Sequence, residues 1–151
     1  MEPQIVYKPA FTIVGIPHDG KSLERDMDAL WDQLAKRYAE LPHVDPDQGF
    51  GVHNFSDDGH NYLAGFAAYR DGVLPPGMVE QRIGENAYAV FIHRGSLASI
   101  PETMTRIFEG WLPGSGYQLA SDYFFECYDD RFNPGSPDSV VFVFVPVRGA
   151  K

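Results

Sequence analysis

Phe124-Phe125-Glu126-Cys127-Tyr128 sets one carboxylate inside an otherwise apolar and aromatic run. The run reads as a strand, and strand side chains alternate between two faces. Phe124, Glu126 and Tyr128 therefore share one face, and Phe125 and Cys127 share the other. An acid between two rings is either a solvated residue on a sheet surface or a charge set in an apolar pocket. Charged residues are seldom buried unpaired, so the five residues alone leave both readings open.

Working outward, Val140 to Val147 is apolar at nearly every position, as expected for a strand covered on both faces. A turn-rich connection at Asn133-Pro134-Gly135-Ser136-Pro137 joins the two runs. Upstream, Ile100, Met104, Ile107, Phe108 and Trp111 trace a helical stripe. Ser99-Ile100-Pro101-Glu102 has the form of a capping box, and Leu112-Pro113-Gly114 ends the helix. Before it stand a strand at Tyr88 to His93 and a lead-in run at Met78 to Ile83.

The first half follows the same plan. Ile5-Val6-Tyr7 and Phe11 to Ile16 read as strands, broken by Pro17 and Gly20. Leu23, Met27, Leu30, Leu34 and Tyr38 make a helical stripe with Ser22 as the expected N-cap. Leu41-Pro42 ends it, residues 43–47 read as a loop, and Phe50 to Phe55 as a strand. Ser56-Asp57-Asp58-Gly59 is a hairpin turn signal, and Tyr62 to Tyr69 is the returning strand. Pro75-Pro76-Gly77 marks the midpoint.

The expected fold is α+β: two strand–helix–strand–strand repeats, about residues 5–70 and 78–147, within one domain spanning 1–151. Their strands form antiparallel sheet, with a central groove between the repeats.

The 151 residues carry a formal charge of -9 and a pI near 4.8. That balance disfavours nucleic acid and anionic membranes as partners. The single cysteine, Cys127, cannot close an intrachain disulfide, which fits a reducing, cytoplasmic setting. No leader and no transmembrane run is read. The five histidines show no zinc-site spacing, and Gly114-Ser115-Gly116 follows a helix rather than opening one; no metal and no cofactor are expected. Ser115 has no His or Asp at a motif spacing.

Several fragments together resemble a known family. Tyr88-Ala89-Val90-Phe91 with His93 and Gly95 resembles the strand that opens the second repeat of GyrI-like small-molecule-binding domains. Trp111-Leu112-Pro113-Gly114-Ser115-Gly116-Tyr117 is similar to their helix-ending signature, and Phe125-Glu126-Cys127-Tyr128 to their Glu-x-Tyr strand. Pro76-Gly77-Met78 also has a counterpart. The family includes effector-binding domains of AraC-type and multidrug-responsive transcription activators.

The resemblance implies the duplicated fold and a groove that takes varied, often cationic and aromatic molecules. It places the family's glutamate at Glu126, its tryptophan at Trp111 and its aromatic at Tyr128. Phe124 and Tyr88 complete the expected ligand set. The family's regulators carry a helix-turn-helix region ahead of this domain. Here the first strand begins almost at Met1, so the expectation is a stand-alone binder with no direct DNA contact.

The alternative is a hydrolase opening strained rings, with Glu126 as acid or base and Tyr88 or Tyr128 assisting. A gyrase-directed protein-interaction module is a further alternative, without a local motif. In the binding reading, a ligand cation supplies the partner that a buried Glu126 lacks, and the rings add cation–π attraction.

Overall fold

The two runs meet edge to edge in one antiparallel sheet. The computed structural model describes residues 2–41, 43–56, 59–95, 99–128 and 138–149. In chain order the strands are β1 (Gln4–Lys8), β2 (Phe11–His18), β3 (Val44–Ser56), β4 (Gly59–Ala68) and β5 (Val79–Ile83). They continue with β6 (Asn86–Arg94), β7 (Tyr117–Leu119), β8 (Tyr123–Tyr128) and β9 (Val140–Gly149). Helix α1 is Leu23–Lys36 and helix α2 is Ile100–Thr105.

The spatial order is β1-β6-β9-β8-β3-β4-β2-β5, with β7 pairing on β9. Strands β8 and β3 join the halves at the centre. The lead strands are exchanged: β1 pairs with β6, while β5 pairs with β2. Each half of the sheet is thus edged by a strand from the other half of the chain. Nothing in the apolar pattern encodes that exchange, because both edge strands are short and read alike.

Cross-strand partners share a face, so the register sorts the sheet. One row runs Ile16–Ala64–Gly51–Glu126–Val143–Phe91 across β2, β4, β3, β8, β9 and β6. Both helices lie on this face. Leu30 and Leu34 of α1 pack with Val14, Tyr62 and Ala64. Ile107, Met104, Phe108 and Trp111 pack with Phe91, Phe124, Val143 and Val145.

Among the described residues the opposite face carries no helix, yet Ile13, Phe50, Val52, Leu63, Ile83, Tyr88 and Phe125 are buried there. The sheet covers them by curling. Strands β2 and β8 stand three strand spacings apart, about 14 Å in a flat sheet. The rings of Phe11 and Phe125 nevertheless lie 5.8 Å apart. A half-barrel encloses this aromatic core, and the helices sit outside it.

Local details depart from expectation. Ser22 does not cap α1 with its side chain; its backbone is left-handed at φ 58°, and its carbonyl accepts from Asp26 N–H. Ser99 makes no cap bond to α2, and its Oγ lies 3.4 Å from His93 Nε2. The second helical stripe is not one α-helix: α2 passes into a π-helix at Arg106–Trp111 and a 3-10 turn at Leu112–Gly114. Gly110 is a poor helix former and Pro113 has no N–H to donate, so α-type bonding is weakened there. Residues from Val44 onward belong to β3 rather than to a loop, with a register shift between Val44 and Gly49. Asp57 and Asp58, and the turn at Asn133 to Pro137, lie outside the described residues.

Candidate functional site

Along β3, Gly49, Gly51 and His53 alternate with Phe50 and Val52. The register places them opposite Tyr128, Glu126 and Phe124 on the helix face. Where the two central strands meet, β3 thus offers two glycines and an imidazole, and β8 offers two rings and a carboxylate. Gly51 makes room for the Tyr62 hydroxyl: a Cβ there would run into it, so Tyr62 would have to shift.

Glu126 is 2% exposed. The Tyr128 hydroxyl donates to its Oε1 at 2.6 Å, and His53 Nε2 lies 3.3 Å from its Oε2. Behind Tyr128 the polar chain continues. Tyr62 and Tyr128 share a hydrogen bond, and Trp31 Nε1–H donates to the Tyr62 hydroxyl at 3.1 Å.

Tyr128 has one proton and gives it to the carboxylate. The Tyr62 proton must therefore point at the Tyr128 oxygen, while Tyr62 accepts from Trp31. Each dipole in the chain Trp31–Tyr62–Tyr128–Glu126 points toward the carboxylate. Burial pushes the Tyr62 and Tyr128 phenols well above their ordinary range, and the charge of Glu126 raises both further. Both phenols therefore stay protonated donors at neutral pH.

Rings wall the carboxylate. Phe124 stacks on His53 with centroids 4.5 Å apart and planes within 10°. Tyr62 stands edge-on to the same imidazole at 4.9 Å, and Trp31 edge-on to Tyr128 at 5.3 Å. Phe108, from the π-helix, and Phe55 each place a ring 5.4 Å from Phe124. No permanent positive charge reaches this site: among the described residues, no Lys or Arg lies within ion-pair distance of Glu126. A buried carboxylate held by phenols and rings, without a lysine or arginine, is suited to a cation from outside.

The structure gathers Glu126, Phe124 and Tyr128 of the expected set. Tyr88 is a correction. It lies an odd number of positions from Phe91 on β6, so it points to the opposite face from Glu126. It is fully buried in the half-barrel core, hydrogen-bonded to the Tyr123 hydroxyl at 2.7 Å, and burial raises its pKa. Tyr88 therefore cannot assist Glu126 as ligand contact or acid partner.

Trp111 shares the helix face, but its ring contacts are Phe91 at 5.2 Å and Tyr117 at 6.0 Å. Its outer side lines an open cavity of about 630 Å³ with Arg106 and Ser115. Of two first-half tyrosines, Tyr62 enters the polar chain, whereas Tyr69 is exposed. Sequence reasoning missed His53, Phe108 and Trp31 as members of the site. The legible signal was Gly49-x-Gly51-x-His53: period-2 glycines empty one strand face and leave a histidine at its end.

Among the described residues, a curled antiparallel sheet under two helices buries Glu126 between aromatic rings. The family model for GyrI-like small molecule binding domains matches residues 1–148; the chain belongs to that family. The transcriptional regulator BrlR of Pseudomonas aeruginosa is 31% identical over an alignment of 150 residues that covers 97% of this chain and 56% of BrlR. The chain thus spans little more than half the length of that relative.

Among solved structures, SAV2435 bound to tetraphenylphosphonium aligns over 99% of this chain and 95% of its own. The TM-score is 0.79 at 19% identity. The C-terminal domain of EcmrR aligns over 99% and 100%, with a TM-score of 0.71 at 16% identity. At these identities the two structures speak to the fold.

Proposed function

We propose that the site between the two helices binds a ring-bearing organic cation, with Glu126 as the charge partner and Phe124, Tyr128, Tyr62 and Trp31 as its walls. The observation that carries this reading is the buried carboxylate enclosed by aromatic faces with no lysine or arginine in ion-pair distance among the described residues. Cation–π contacts add about 0.5–2 kcal/mol each to such a ligand. Selectivity then rests on charge and ring area rather than on a fixed pattern of hydrogen bonds, which suits a broad ligand range.

The tetraphenylphosphonium held by SAV2435 belongs to this chemical class. The regulators BrlR and EcmrR support an effector-sensing role in the cytoplasm.

Calorimetry with tetraphenylphosphonium and a neutral triaryl compound of similar shape tests the reading. Glu126→Gln is expected to weaken the cation roughly ten- to hundredfold, the scale of a hydrogen bond or contact to a charged group, and to leave the neutral compound nearly unchanged. Equal losses for both compounds would refute it. Incubation with a strained-ring electrophile followed by mass spectrometry separates capture from ring-opening turnover: compound recovered unchanged excludes turnover of that substrate.

A further inference from the structure

Resting on that reading, we infer that the His53 imidazole occupies the seat a ligand's cationic group takes, so that proton uptake by His53 and cation binding at Glu126 exclude one another. His53 is thereby a specificity-determining residue of the site: a built-in competitor with the contacts of a small aromatic cation. Its Nε2 lies 3.3 Å from Oε2, the carboxylate oxygen that Tyr128 does not use. Its ring is stacked on Phe124 and bordered edge-on by Tyr62. These are the charge and ring contacts that a flat cation would seek.

The His53 side chain is 13% exposed and that of Glu126 3%. The imidazole is the outer member of the pair, so an incoming ligand meets it before the carboxylate. With Gly51 opposite Glu126 on β3, no other β3 side chain beside the carboxylate needs to move.

Among the described residues, titratable groups that meet the imidazole include Glu126 of β8 and Tyr62 of β4, with Tyr128 behind the carboxylate. Beyond Tyr62, His18 of β2 is opposite in register and bonded to Asp26 of α1 at 3.0 Å. Both phenols stay protonated at neutral pH, and His18 has its own carboxylate, so His53 is the group whose charge can oppose a ligand at Glu126. A protonated imidazole is held by the carboxylate and resists displacement; a neutral one gives way. Cation binding then releases a proton, and affinity for a permanent cation falls as the imidazole takes up a proton.

The test is calorimetry of tetraphenylphosphonium binding at about pH 6 and about pH 8, in buffers of contrasting ionisation enthalpy, with wild type, His53→Gln and His53→Phe. Wild type is expected to bind about tenfold more weakly at the lower pH and to release up to about one proton there. Both variants should show no such dependence and should bind more tightly than wild type at the lower pH. His53→Phe retains a ring on Phe124, so packing and charge are separated. Variants that keep the wild-type pH dependence, or a wild type that binds equally at both pH values without proton release, would overturn the proposal while leaving the cation site standing. Absence of binding by every protein at both pH values would remove the cation site itself, and this proposal with it.

Discussion

The two halves of the sheet carry helices of different build, and they contribute differently to the site. In the first half α1 is an uninterrupted 14-residue helix. Its apolar stripe seals β2 and β4 and leaves the Trp31 N–H to reach Tyr62. In the second half the helix passes from α to π geometry after Thr105, and π turns concentrate at functional sites. That change brings Phe108 onto Phe124 and Trp111 onto Phe91 and Tyr117. The first half thus supplies the outer donors Trp31 and Tyr62 and the imidazole, and the second supplies the carboxylate, its direct donor Tyr128 and the rings of Phe124 and Phe108. The carboxylate and its direct donor share β8, while the donors behind them come from the first half, across the seam where β3 meets β8.

The largest effect expected from breaking this division is on the wall. Phe124→Ala removes the ring that stacks on His53 and meets Phe55 and Phe108, and denaturant unfolding should report a loss of about 3–5 kcal/mol. Gly51→Ala strikes the seam itself. Its methyl must push Tyr62 off the polar chain, at a cost of about 1–3 kcal/mol in unfolding. Trp31→Phe keeps a ring edge-on to Tyr128 but removes the first donor; about 1 kcal/mol of stability should go, with a modest loss of cation affinity by titration. If Trp31→Phe proved costlier than Phe124→Ala, the roles assigned to the halves would be reversed.

The pH dependence sharpens the comparison further. Tyr62 and Tyr128 have folded-state values raised above the ordinary 10.0, burial first and Glu126 second. A raised phenol contributes stability that is fully present below the unfolded value and lost as pH climbs past it. Thermal unfolding midpoints should therefore decline above about pH 10, and Tyr62→Phe should reduce that decline. Tyr88, inside the half-barrel and raised by burial and then by Tyr123, adds to the same alkaline branch. Comparing Tyr88→Phe with Tyr62→Phe separates the two faces of the sheet.

The smallest effect lies at acid pH. Asp26 is lowered by its hydrogen bond to His18 and then by Arg25. Its contribution is present above the ordinary carboxylate range and lost as pH falls through it. Asp26→Asn should flatten that branch slightly in a thermal scan.

Much of the second half was legible because its signals are local. The acid of the opening strand, the rings on its face and the parity that groups Phe124, Glu126 and Tyr128 follow from alternation along one strand. Parity also excludes Tyr88 from that group, but only once the register ties β6 to β8 through β9. Until the strands are paired, the faces of two strands have no common sign. The first half's share was less visible because Tyr62, His53 and Trp31 come from two strands and a helix that no short motif connects.

By itself the sequence determined the elements, their duplication, the antiparallel class and the acid with its two flanking rings. Each of these is written in periodicity over a few residues. The tertiary structure decided which strands exchange edges, how far the sheet curls, and that Gly51 opens the space where Tyr62 and Tyr128 aim their hydroxyls at one carboxylate. Those outcomes depend on pairing between segments far apart in the chain, and on volume that a glycine leaves empty, neither of which a local pattern encodes.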